Sequence, residues 1–302
     1  MPESERVTVE VEGRTLSLSN LSKVLYPETG TTKGEVIDYY AKVAPVMVPH
    51  LRDRCVTLRR FPNGVDGQSF FEKRCPSHRP EWVHTARGPG DRSGQIDYCV
   101  IDDLAALVWV ANLAALELHT PMALASDPQH PTMVVFDLDP GPPAGMTECA
   151  QVGLAIRDAL GALDLTLVPK TSGGKGLQLY LPLNRPHDAE HVRSFALAVA
   201  QLLAKQLPAQ VVTEQTKAIR TGKVLIDWSQ NTSFKTTVCA YSLRAQPAPT
   251  ASTPVTWDEV AAAADGTPLR FEAADVLARV AEHGDLFAPT TTLEQQLPAA
   301  RT

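Results

Sequence analysis

The chain has 302 residues, of which 44% are hydrophobic and 21% are charged, and its formal net charge is -6. A chain of this length can bury the core of one elaborate domain or of two lobes, and the composition is that of an ordinary globular protein. The negative net charge excludes indiscriminate binding to phosphate backbones through overall charge. Any contact with nucleic acid must therefore come from local basic clusters.

The amino terminus and the apolar stretches predict a cytoplasmic protein without membrane contact. Glu3 and Glu5 stand where an export signal would have a basic start followed by an apolar run. The longest apolar segment, 104–116, is interrupted by Asn112 and is shorter than the roughly 20 residues that a membrane span needs.

The cysteines predict reduced thiols rather than a disulfide framework. They are five in number, widely scattered and without a CxxC pair, which suits a reducing cytosol. Cys75, His78 and His84, with Cys99 as a distant fourth ligand, leave a structural zinc site open as a less favoured alternative.

The amino-terminal part predicts a hairpin and then a capped helix. Residues 7–18 alternate apolar and polar around Gly13, which is typical of a hairpin. Thr32 with Glu35 three residues later is a capping-box signature, and residues 36–43 continue a helical apolar stripe.

Lys23 and Lys33 flank the turn before this helix. Two ammonium groups beside a helix amino terminus can hold an anion together. Solvated surface lysines remain the more common explanation for such a pair.

Aromatic and basic residues follow each other after the predicted strand 55–61. Phe70 and Phe71 are adjacent, so both cannot face one core from a strand, and at least one is expected to be exposed. An exposed ring beside Arg59 and Arg60 suits stacking on a base near a charged backbone. The alternative, one ring buried and its neighbour covered by a loop, is more common.

The next segment predicts a loop, a strand and a central helix. Residues 87–95 are rich in glycine and polar residues, and residues 96–101 read as a strand. A helix capped by Asp102 or Asp103 is expected to run through Leu118 and to end at His119. Apolar residues would cover nearly the whole circumference of this helix, which predicts a central position. A histidine at a helix end more often serves as a cap than as a functional group.

A short buried strand over 133–136 ends at a turn that begins with Pro140, and Asp137 and Asp139 lie at its carboxyl end. Residues two apart in a strand project to the same side, whereas Leu138 projects to the other. Two close carboxylates beside an apolar strand favour a divalent cation, although helix caps or turn residues remain an equally common reading.

Two enzyme classes that use D-x-D fit less well. A haloacid-dehalogenase-like phosphatase would have Thr or Val where this chain has Gly141. A sugar-nucleotide transferase leaves the two features described next unexplained.

The second chemical signal is a strand, turn, strand unit whose turn, 171–176, reads TSGGKG. Gly173, Gly174 and Gly176 allow backbone amides to converge on an oxyanion. Ser172 and Lys175 add a hydroxyl group and a positive charge that suit a phosphate. The turn is not a Walker loop, because the spacing differs and a strand follows it.

Asp227 lies inside the predicted strand 224–228, between Ile226 and Trp228. An acid there is awkward unless it faces a polar cavity or a metal. Together with Asp137, Asp139 and the glycine-rich turn, it makes a coherent site for two-metal phosphoryl or nucleotidyl transfer. One metal would lower the pKa of an attacking hydroxyl group, and the other would steady the pyrophosphate leaving group.

Seven segments follow one another along nearly the whole chain. In order, they are NLSKVLYPETGTTKGEVIDYY, RRFPNGVDGQSFFEK, LELHTP, FDLDPG, TSGGKGLQLYLPL, KVLIDWSQNTSFKTT and AYSLRA. In this combination the chain resembles the polymerase domain of bacterial ligase D, a member of the archaeo-eukaryotic primase superfamily that acts in non-homologous end joining. The resemblance implies a mixed α/β primase-like fold, with an RRM-like catalytic sheet packed against an amino-terminal α/β portion. It implies one catalytic domain over 1–302, with DNA-end contacts in 1–130, the catalytic sheet in 131–246 and a carboxyl-terminal extension in 247–302.

The resemblance also assigns roles to individual residues. It implies that two ions, Mn²⁺ or Mg²⁺, are held by Asp137, Asp139 and Asp227. Contacts to the incoming nucleotide are implied for Arg59, His119, Ser172, Gly174, Lys175, Gln178, Gln230 and Arg244. Contacts to DNA are implied for Asn20, Lys23 and Lys33 at a 5′-phosphate, for Phe70 and Phe71 as a template-stacking pair, and for the loop 87–95 and the segment around Arg220 in bridging broken ends.

The chain departs from the family pattern at Gln178, where SGxKGxH commonly has histidine. A neutral amide cannot carry a positive charge. We therefore expect weaker nucleotide binding or slower incorporation, which Gln178→His should reverse.

The expected function is template-directed addition of nucleotides, preferably ribonucleotides, at DNA gaps or breaks with a 5′-phosphate. The expected partners are DNA, NTPs or dNTPs, Ku and a DNA ligase, and the expected state is a nucleoid-associated monomer. A DNA-end-binding module with vestigial catalysis and a primase that needs no primer remain alternatives. No ligase lysine motif or nuclease segment is visible, so both a stand-alone polymerase and an excised domain fit.

Overall fold

A computed structural model of the chain describes residues 6–90, 94–233 and 235–299. It divides into two compact units. Unit 1 comprises the described residues of Met1–Pro121, Thr237–Ala251 and Phe271–Gly284, and unit 2 those of Met122–Thr236, Ser252–Arg270 and Asp285–Thr302. Residues 237–246 thus lie with unit 1 and outside the catalytic sheet to which the sequence assigned them. The assignment of the whole chain to one domain stays a prediction.

The described strands are β1 Arg6–Val11, β2 Arg14–Ser19, β3 Val24–Tyr26, β4 Thr31–Thr32, β5 Thr57–Arg60, β6 Phe70–Glu72, β7 Thr85–Pro89, β8 Gln95–Cys99, β9 Ala115–Thr120, β10 Met133–Pro140, β11 Val168–Thr171, β12 Leu177–Pro182, β13 Val211–Val212, β14 Val224–Asp227 and β15 Thr237–Val238. The helices are α1 Lys33–Leu51, α2 Leu104–Asn112, α3 Met146–Gly161, α4 Ala189–Gln206, α5 Trp257–Ala264, α6 Ala273–His283 and α7 Pro289–Thr292, with 3₁₀ turns at Lys217–Ile219 and Trp228–Gln230. None of these helices combines the length and the apolar character needed to cross a membrane.

Unit 1 contains a four-stranded sheet in the order β15-β9-β5-β6, which is antiparallel throughout. The predicted hairpin at the start of the chain is confirmed, since β1 and β2 pair across Gly13. The predicted capping box is also confirmed, because Thr32 and Glu35 exchange side-chain and backbone hydrogen bonds at the start of α1.

Unit 2 contains a five-stranded sheet in the order β11-β12-β10-β14-β13, in which β13 and β14 alone run parallel to each other. The central strand β10 buries residues 133–136 and Leu138 completely or nearly so. Gly153 of α3 lies beside Leu138, since a Cβ on that glycine would be 3.8 Å from Leu138 Cδ1. Because side chains alternate along a strand, Asp137 and Asp139 project away from α3.

The predicted helix through Leu118 is too long. Helix α2 ends at Asn112, Ala114 adopts a positive φ of 57°, and Ala115 begins strand β9. His119 is therefore a strand residue opposite Thr57 of β5 and does not cap a helix. A continuous apolar run fits a buried strand as well as a buried helix, so periodicity alone could not separate them.

The prediction that all cysteines are reduced is also wrong, because Cys75 and Cys99 form a disulfide. The backbone N–H of Cys75 donates to Asp97 O at 2.7 Å, and this contact brings a residue distant in sequence beside β8. Cys55, Cys149 and Cys239 are free thiols. Two of the four proposed zinc ligands are thus joined to each other, which removes the zinc alternative.

The predicted loop 87–95 is shorter than expected. Strand β7 continues to Pro89 and strand β8 begins at Gln95, so only residues 90–94 lie between them. Of these, residues 91–93 lie outside the described residues.

Candidate active site

The three candidate metal-binding carboxylates project from one face of the unit 2 sheet. Asp137 of β10 lies directly opposite Asp227 of β14 in the antiparallel register, and Asp139 follows two residues later. Residues directly opposite in an antiparallel pair have Cβ atoms about 4.5–5.5 Å apart on the same face. The predicted return of Asp227 to the acidic pair is therefore present in the structure.

Each of the three carboxylates contacts a different set of polar groups. Asp137 accepts a hydrogen bond from Gln178 Nε2 at 3.0 Å. Asp227 accepts from the backbone N–H of Ser229 at 3.1 Å, from its hydroxyl group at 2.6 Å, and from Gln230 Nε2 at 2.9 Å. Asp139 Oδ2 lies 3.7 Å from Arg220 Nη2. Arg220 and Gln230, for which the resemblance implied DNA and nucleotide contacts, thus contact candidate metal ligands.

Burial and the negative charge of Asp139 raise the pKa of Asp137 to about 7. The hydrogen bond from Gln178 acts in the opposite direction, whereas the charge of Asp227 adds to the rise. The cluster therefore carries more negative charge than its surroundings stabilise, and a cation would relieve it.

The residues present fit hard divalent cations by their chemistry. Carboxylate oxygens are the ligands that Mg²⁺ and Mn²⁺ prefer. Within the described residues, however, no three His, Cys, Asp or Glu side chains converge as they would around a bound ion. The oxygens of Asp227 accept hydrogen bonds from Ser229 and Gln230, so coordination of a cation would require Asp227 to exchange one of these bonds.

The glycine-rich turn is closed by its own serine. Ser172 Oγ accepts hydrogen bonds from the N–H groups of Gly174 at 3.3 Å and Gly176 at 3.1 Å, and the N–H of Ser172 donates to Gly176 O at 2.9 Å. Two of the turn's amides thus donate to a hydroxyl oxygen of the protein, and their contact with an external oxyanion stays a prediction. Lys175 is exposed at the tip of the turn.

The glycines of this turn serve different purposes. Gly173 adopts a φ of +70°, a conformation that other residues rarely adopt. Gly176 has an ordinary φ, but a Cβ on it would lie 2.4 Å from Leu138 O and 3.7 Å from an oxygen of Asp139. The turn thus lies directly against the backbone between the two aspartates.

Gln178 does not lie in the turn but faces the carboxylates. It lies on β12 opposite Asp137 and is buried, with its amide hydrogen-bonded to that side chain. Its carbonyl oxygen accepts hydrogen bonds from Lys170 Nζ and from the hydroxyl group of Tyr180. The effect of Gln178 on nucleotide incorporation stays a prediction.

Unit 1 holds the remaining candidate nucleotide contacts around a carboxylate that sequence reasoning missed. Glu117 of β9 is 1% exposed, and it accepts hydrogen bonds from His119 Nε2 at 3.0 Å, Arg244 Nε at 3.3 Å and Arg59 Nη1 at 3.4 Å. The N–H of Ala245 adds a fourth, at 3.1 Å. An acid within the apolar strand 115–120 is the same signal that singled out Asp227.

Burial alone would raise the pKa of Glu117, but the hydrogen bond from His119 and the charge of Arg244 outweigh it and lower the pKa to about 2. Burial lowers the pKa of His119, against the opposing effect of Glu117. Glu117 is thus a permanent anion that orients two guanidinium groups and an imidazole.

Phe70 and Phe71 are both exposed, by 43% and 59%. The alternative with one ring buried is therefore wrong, and both residues lie on the edge strand β6. The rings lie against basic residues, with Arg60 5.3 Å from the Phe70 centroid and Arg59 5.3 Å from the Phe71 centroid.

The three candidate contacts for a 5′-phosphate also lie in unit 1. Asn20 is exposed with a φ of 54°, and its carbonyl oxygen accepts a hydrogen bond from the N–H of Lys23 at 3.0 Å. Lys33 Nζ donates to Ser19 O at 2.6 Å. Burial, with the charges of Lys23 and Arg60, lowers the pKa of Lys33 to about 8. Mutual repulsion between these cations makes the location favourable for an anion.

The candidate residues divide between the two units. Unit 2 contains Asp137, Asp139, Ser172, Gly174, Lys175, Gln178, Arg220, Asp227 and Gln230, and unit 1 contains Asn20, Lys23, Lys33, Arg59, Phe70, Phe71, His119 and Arg244.

The chain is similar to LigD proteins of non-homologous end joining. The model of the LigD primase-polymerase domain family matches residues 32–287. The chain is 46% identical over 275 residues to the multifunctional non-homologous end joining protein LigD of Mycolicibacterium smegmatis. It is 30% identical over 273 residues to the bifunctional non-homologous end joining protein LigD of Bacillus subtilis. Both alignments cover 90% of this chain, but it spans only 35% and 43% of these relatives.

Among solved structures, the polymerase domain of Mycobacterium tuberculosis ligase D in complex with DNA matches with a TM-score of 0.86 and 41% identity. The match covers 93% of this chain and 99% of that chain. It confirms the mixed α/β primase-like fold that the sequence resemblance implied.

Replacing Gly176 by alanine is expected to displace the backbone of β10, because the added methyl group would overlap Leu138 O. We expect a loss of about 2 kcal/mol in the free energy of unfolding. Gly161→Ala is the matched control, since a Cβ at that helical position meets nothing within 4 Å and should stabilise by about 0.5 kcal/mol. Urea unfolding measures both, and equal effects would contradict the close approach.

Glu117→Gln is expected to lower the free energy of unfolding at neutral pH by about 3 kcal/mol, because it removes the anion from buried cationic partners. The control Asp38→Asn breaks the exposed pair with Lys42 and should cost less than about 0.5 kcal/mol.

The pH dependence of the Glu117→Gln effect tests whether the stabilisation comes from the charge of Glu117. The folded-state pKa of Glu117, about 2, lies below the value of 4.5 for a free glutamate. Its contribution is therefore complete above pH 4.5 and is lost as the pH falls towards 2. Urea unfolding should show a smaller difference in the free energy of unfolding between wild type and Glu117→Gln at pH 3 than at neutral pH. A difference that does not change with pH would disprove the ionic origin of the stabilisation.

Proposed function

Because the chain belongs to the family of LigD primase-polymerase domains, and so is a polymerase domain of the end-joining type, we propose that it extends primers by template-directed nucleotidyl transfer at DNA gaps or breaks with a 5′-phosphate. Ribonucleotides are the preferred substrates in this proposal. The observation that carries it is the register that puts Asp227 opposite Asp137, on the sheet face that also bears Asp139.

Two Mn²⁺ or Mg²⁺ ions are proposed as cofactors, held by Asp137, Asp139 and Asp227. When bound, they would activate the attacking primer hydroxyl group and neutralise charge on the leaving pyrophosphate. The raised pKa of Asp137 supports this, because three carboxylates on one face need a counter-charge.

Contacts with nucleotide phosphates are proposed for residues of each unit, taken separately. In unit 2, the proposed contacts are the ammonium group of the exposed Lys175, the hydroxyl group of Ser172 and the amide of Gly174, which would exchange its bond to Ser172 Oγ for one to a phosphate oxygen. In unit 1, Glu117 holds Arg59 and Arg244, whose guanidinium groups are proposed to bind phosphate oxygens. His119 shares the same carboxylate and, with its lowered pKa, acts as a neutral hydrogen-bonding group.

The proposed DNA contacts fall on unit 1, except for the segment around Arg220, which belongs to unit 2. The exposed rings of Phe70 and Phe71, each lying against an arginine, suit stacking on template bases next to a charged backbone. The cations around Lys33 suit a 5′-phosphate. The hairpin β7–β8 and the segment around Arg220 are proposed to help bridge broken ends.

We propose that the chain works as a nucleoid-associated cytoplasmic monomer with Ku and a DNA ligase. End joining also requires a protein that captures the ends and an activity that seals the strand, and these two roles are proposed for Ku and the ligase. The names of the relatives, multifunctional and bifunctional end-joining proteins, support a polymerase that acts alongside such activities.

Asp227→Asn is expected to lower primer extension on a labelled gapped duplex with Mn²⁺ by more than about 100-fold, because a metal ligand matters more than its supporting residues. DNA binding in a mobility-shift gel should be largely kept. Asp158→Asn, at an exposed position of α3, is the matched control. A variant that extends at nearly the wild-type rate would contradict the metal assignment, and a wild type that shifts the duplex without extending it would favour an end-binding module.

The affinity for a 5′-phosphorylated gap is expected to fall as the pH rises above about 8. Without phosphate, the pKa of Lys33 in the folded protein is lowered to about 8. A bound phosphate stabilises the charged form of Lys33 and raises this pKa, so binding above about pH 8 takes up a proton. The loss approaches about tenfold per pH unit.

Fluorescence anisotropy of gapped DNA with and without the 5′-phosphate, from pH 7 to 9.5, measures this effect. Lys33→Met should abolish both the preference for phosphate and its pH dependence. Lys42→Met, at an exposed position of the same helix, should change neither. A preference for phosphate that stays constant across the range would exclude Lys33 as its source.

A further inference from the structure

A buried lysine is connected to a candidate metal ligand through one intervening side chain. Lys170 of β11 lies opposite Gln178 of β12, and Gln178 lies opposite Asp137 of β10. Residues in direct register project to the same face, so the three side chains form a row across three adjacent strands. Lys170 Nζ donates to Gln178 Oε1 at 2.5 Å, and Gln178 Nε2 donates to Asp137 Oδ1 at 3.0 Å.

The chemistry of lysine fixes the direction of this row. An ammonium group has three donors and no acceptor, so only the carbonyl oxygen of Gln178 can face it. The hydroxyl group of Tyr180 donates to the same oxygen at 3.3 Å. The NH₂ group of Gln178 must then face Asp137. With the amide reversed, a carbonyl oxygen would oppose the carboxylate and an NH₂ group would oppose the ammonium.

Lys170 is an unusual choice for its position if its only task is to fill space. The side chain is 1% exposed, and an ammonium group removed from water costs several kcal/mol unless it is hydrogen-bonded and paired. Besides Gln178, it contacts Ser252 Oγ at 2.6 Å and lies 5.3 Å from the centroid of the Tyr180 ring. An apolar side chain of similar length would fill the same space without that cost.

We propose that Lys170 is a positioning residue for the metal-binding carboxylate Asp137. By fixing the amide of Gln178, it holds one oxygen of Asp137 in a defined direction and leaves the other for a cation. Outer hydrogen bonds of this kind orient metal ligands and affect metal affinity. The inference rests on the proposed function and adds to it a residue that the family resemblance did not single out.

The test uses Lys170→Met, which keeps the length of the side chain and removes the donor. Direct titration with MnCl₂, with free Mn²⁺ followed by electron paramagnetic resonance, should show about tenfold weaker binding. In primer extension, kcat should fall while KM for the nucleotide stays at the wild-type value, because Lys170 acts on a metal ligand and not on the nucleotide. A Lys170→Met variant with wild-type Mn²⁺ affinity and kcat would overturn the proposal.

Ser252→Ala is the matched control for a purely structural role. It removes one hydrogen bond of Lys170 and one to Thr171 O but leaves the contact with Gln178. We expect a lower melting temperature with unchanged Mn²⁺ affinity. If Ser252→Ala weakened Mn²⁺ binding as much as Lys170→Met, general loosening of the sheet would replace positioning as the explanation.

A double-mutant cycle with Gln178→Leu tests the route through the amide. If Lys170 acts through Gln178, Lys170→Met should add no further loss of Mn²⁺ affinity in the Gln178→Leu background. Additive losses would overturn the route. If Lys170→Met does not fold, Lys170→Gln replaces it in these measurements. A glutamine can still form a hydrogen bond with Ser252, but it can present either its carbonyl oxygen or its NH₂ group to Gln178 and so does not fix the orientation of that amide.

The metal titration also separates this inference from the proposed function. A wild type that binds Mn²⁺ but does not extend primers would contradict the polymerase proposal, while the comparison of Mn²⁺ affinities would still test Lys170. A wild type that binds no Mn²⁺ would overturn both.

Discussion

The arrangement of unit 2 depends on two carboxylates that face each other across adjacent strands. Like charges directly opposite in an antiparallel pair destabilise a sheet, yet Asp137 and Asp227 occupy such a pair, with Asp139 two residues away. The flanking groups are those that such repulsion requires: amide donors from Gln178 and Gln230, a hydroxyl group from Ser229 and a guanidinium group from Arg220. Stability alone gives no reason for this arrangement, and the arrangement therefore supports the proposal that these acids bind cations.

A single row of polar residues crosses the sheet at this level. Lys170, Gln178, Asp137 and Asp227 are partners in register across β11, β12, β10 and β14. Unit 1 uses the opposite arrangement, in which the anion Glu117 is surrounded by Arg59, Arg244 and His119. In both units one buried charge orients its neighbours. The physical reason is the same, because an unpaired charge in a buried position costs far more than a paired one.

The sequence predicted the parts of this site that are visible as local patterns. Asp137 and Asp139 follow a short apolar run, so their strand and their common face could be inferred from alternation. Asp227 stood out because it interrupts such a run, but its approach to the other two was inferred from the combination of motifs. Glu117 and Lys170 were missed although they too interrupt apolar strands. Recognising them requires knowing their partners, and Arg244 is distant from Glu117 in sequence. The disulfide between Cys75 and Cys99 and the strand that contains His119 were missed for a related reason, since both depend on tertiary pairing that no local pattern encodes.

The position of Gln178 bears on whether catalysis has been retained. The resemblance implies that histidine is common there, and from the sequence alone we expected that an amide would lack a charge that helps to bind phosphate. In the structure, however, residue 178 lies between a lysine that can only donate and a carboxylate that accepts. A neutral imidazole between the same partners would accept with one ring nitrogen and donate with the other. Glutamine reproduces that pattern with its carbonyl oxygen and its NH₂ group, so towards Asp137 the exchange preserves the hydrogen bonding and offers no argument for a vestigial site.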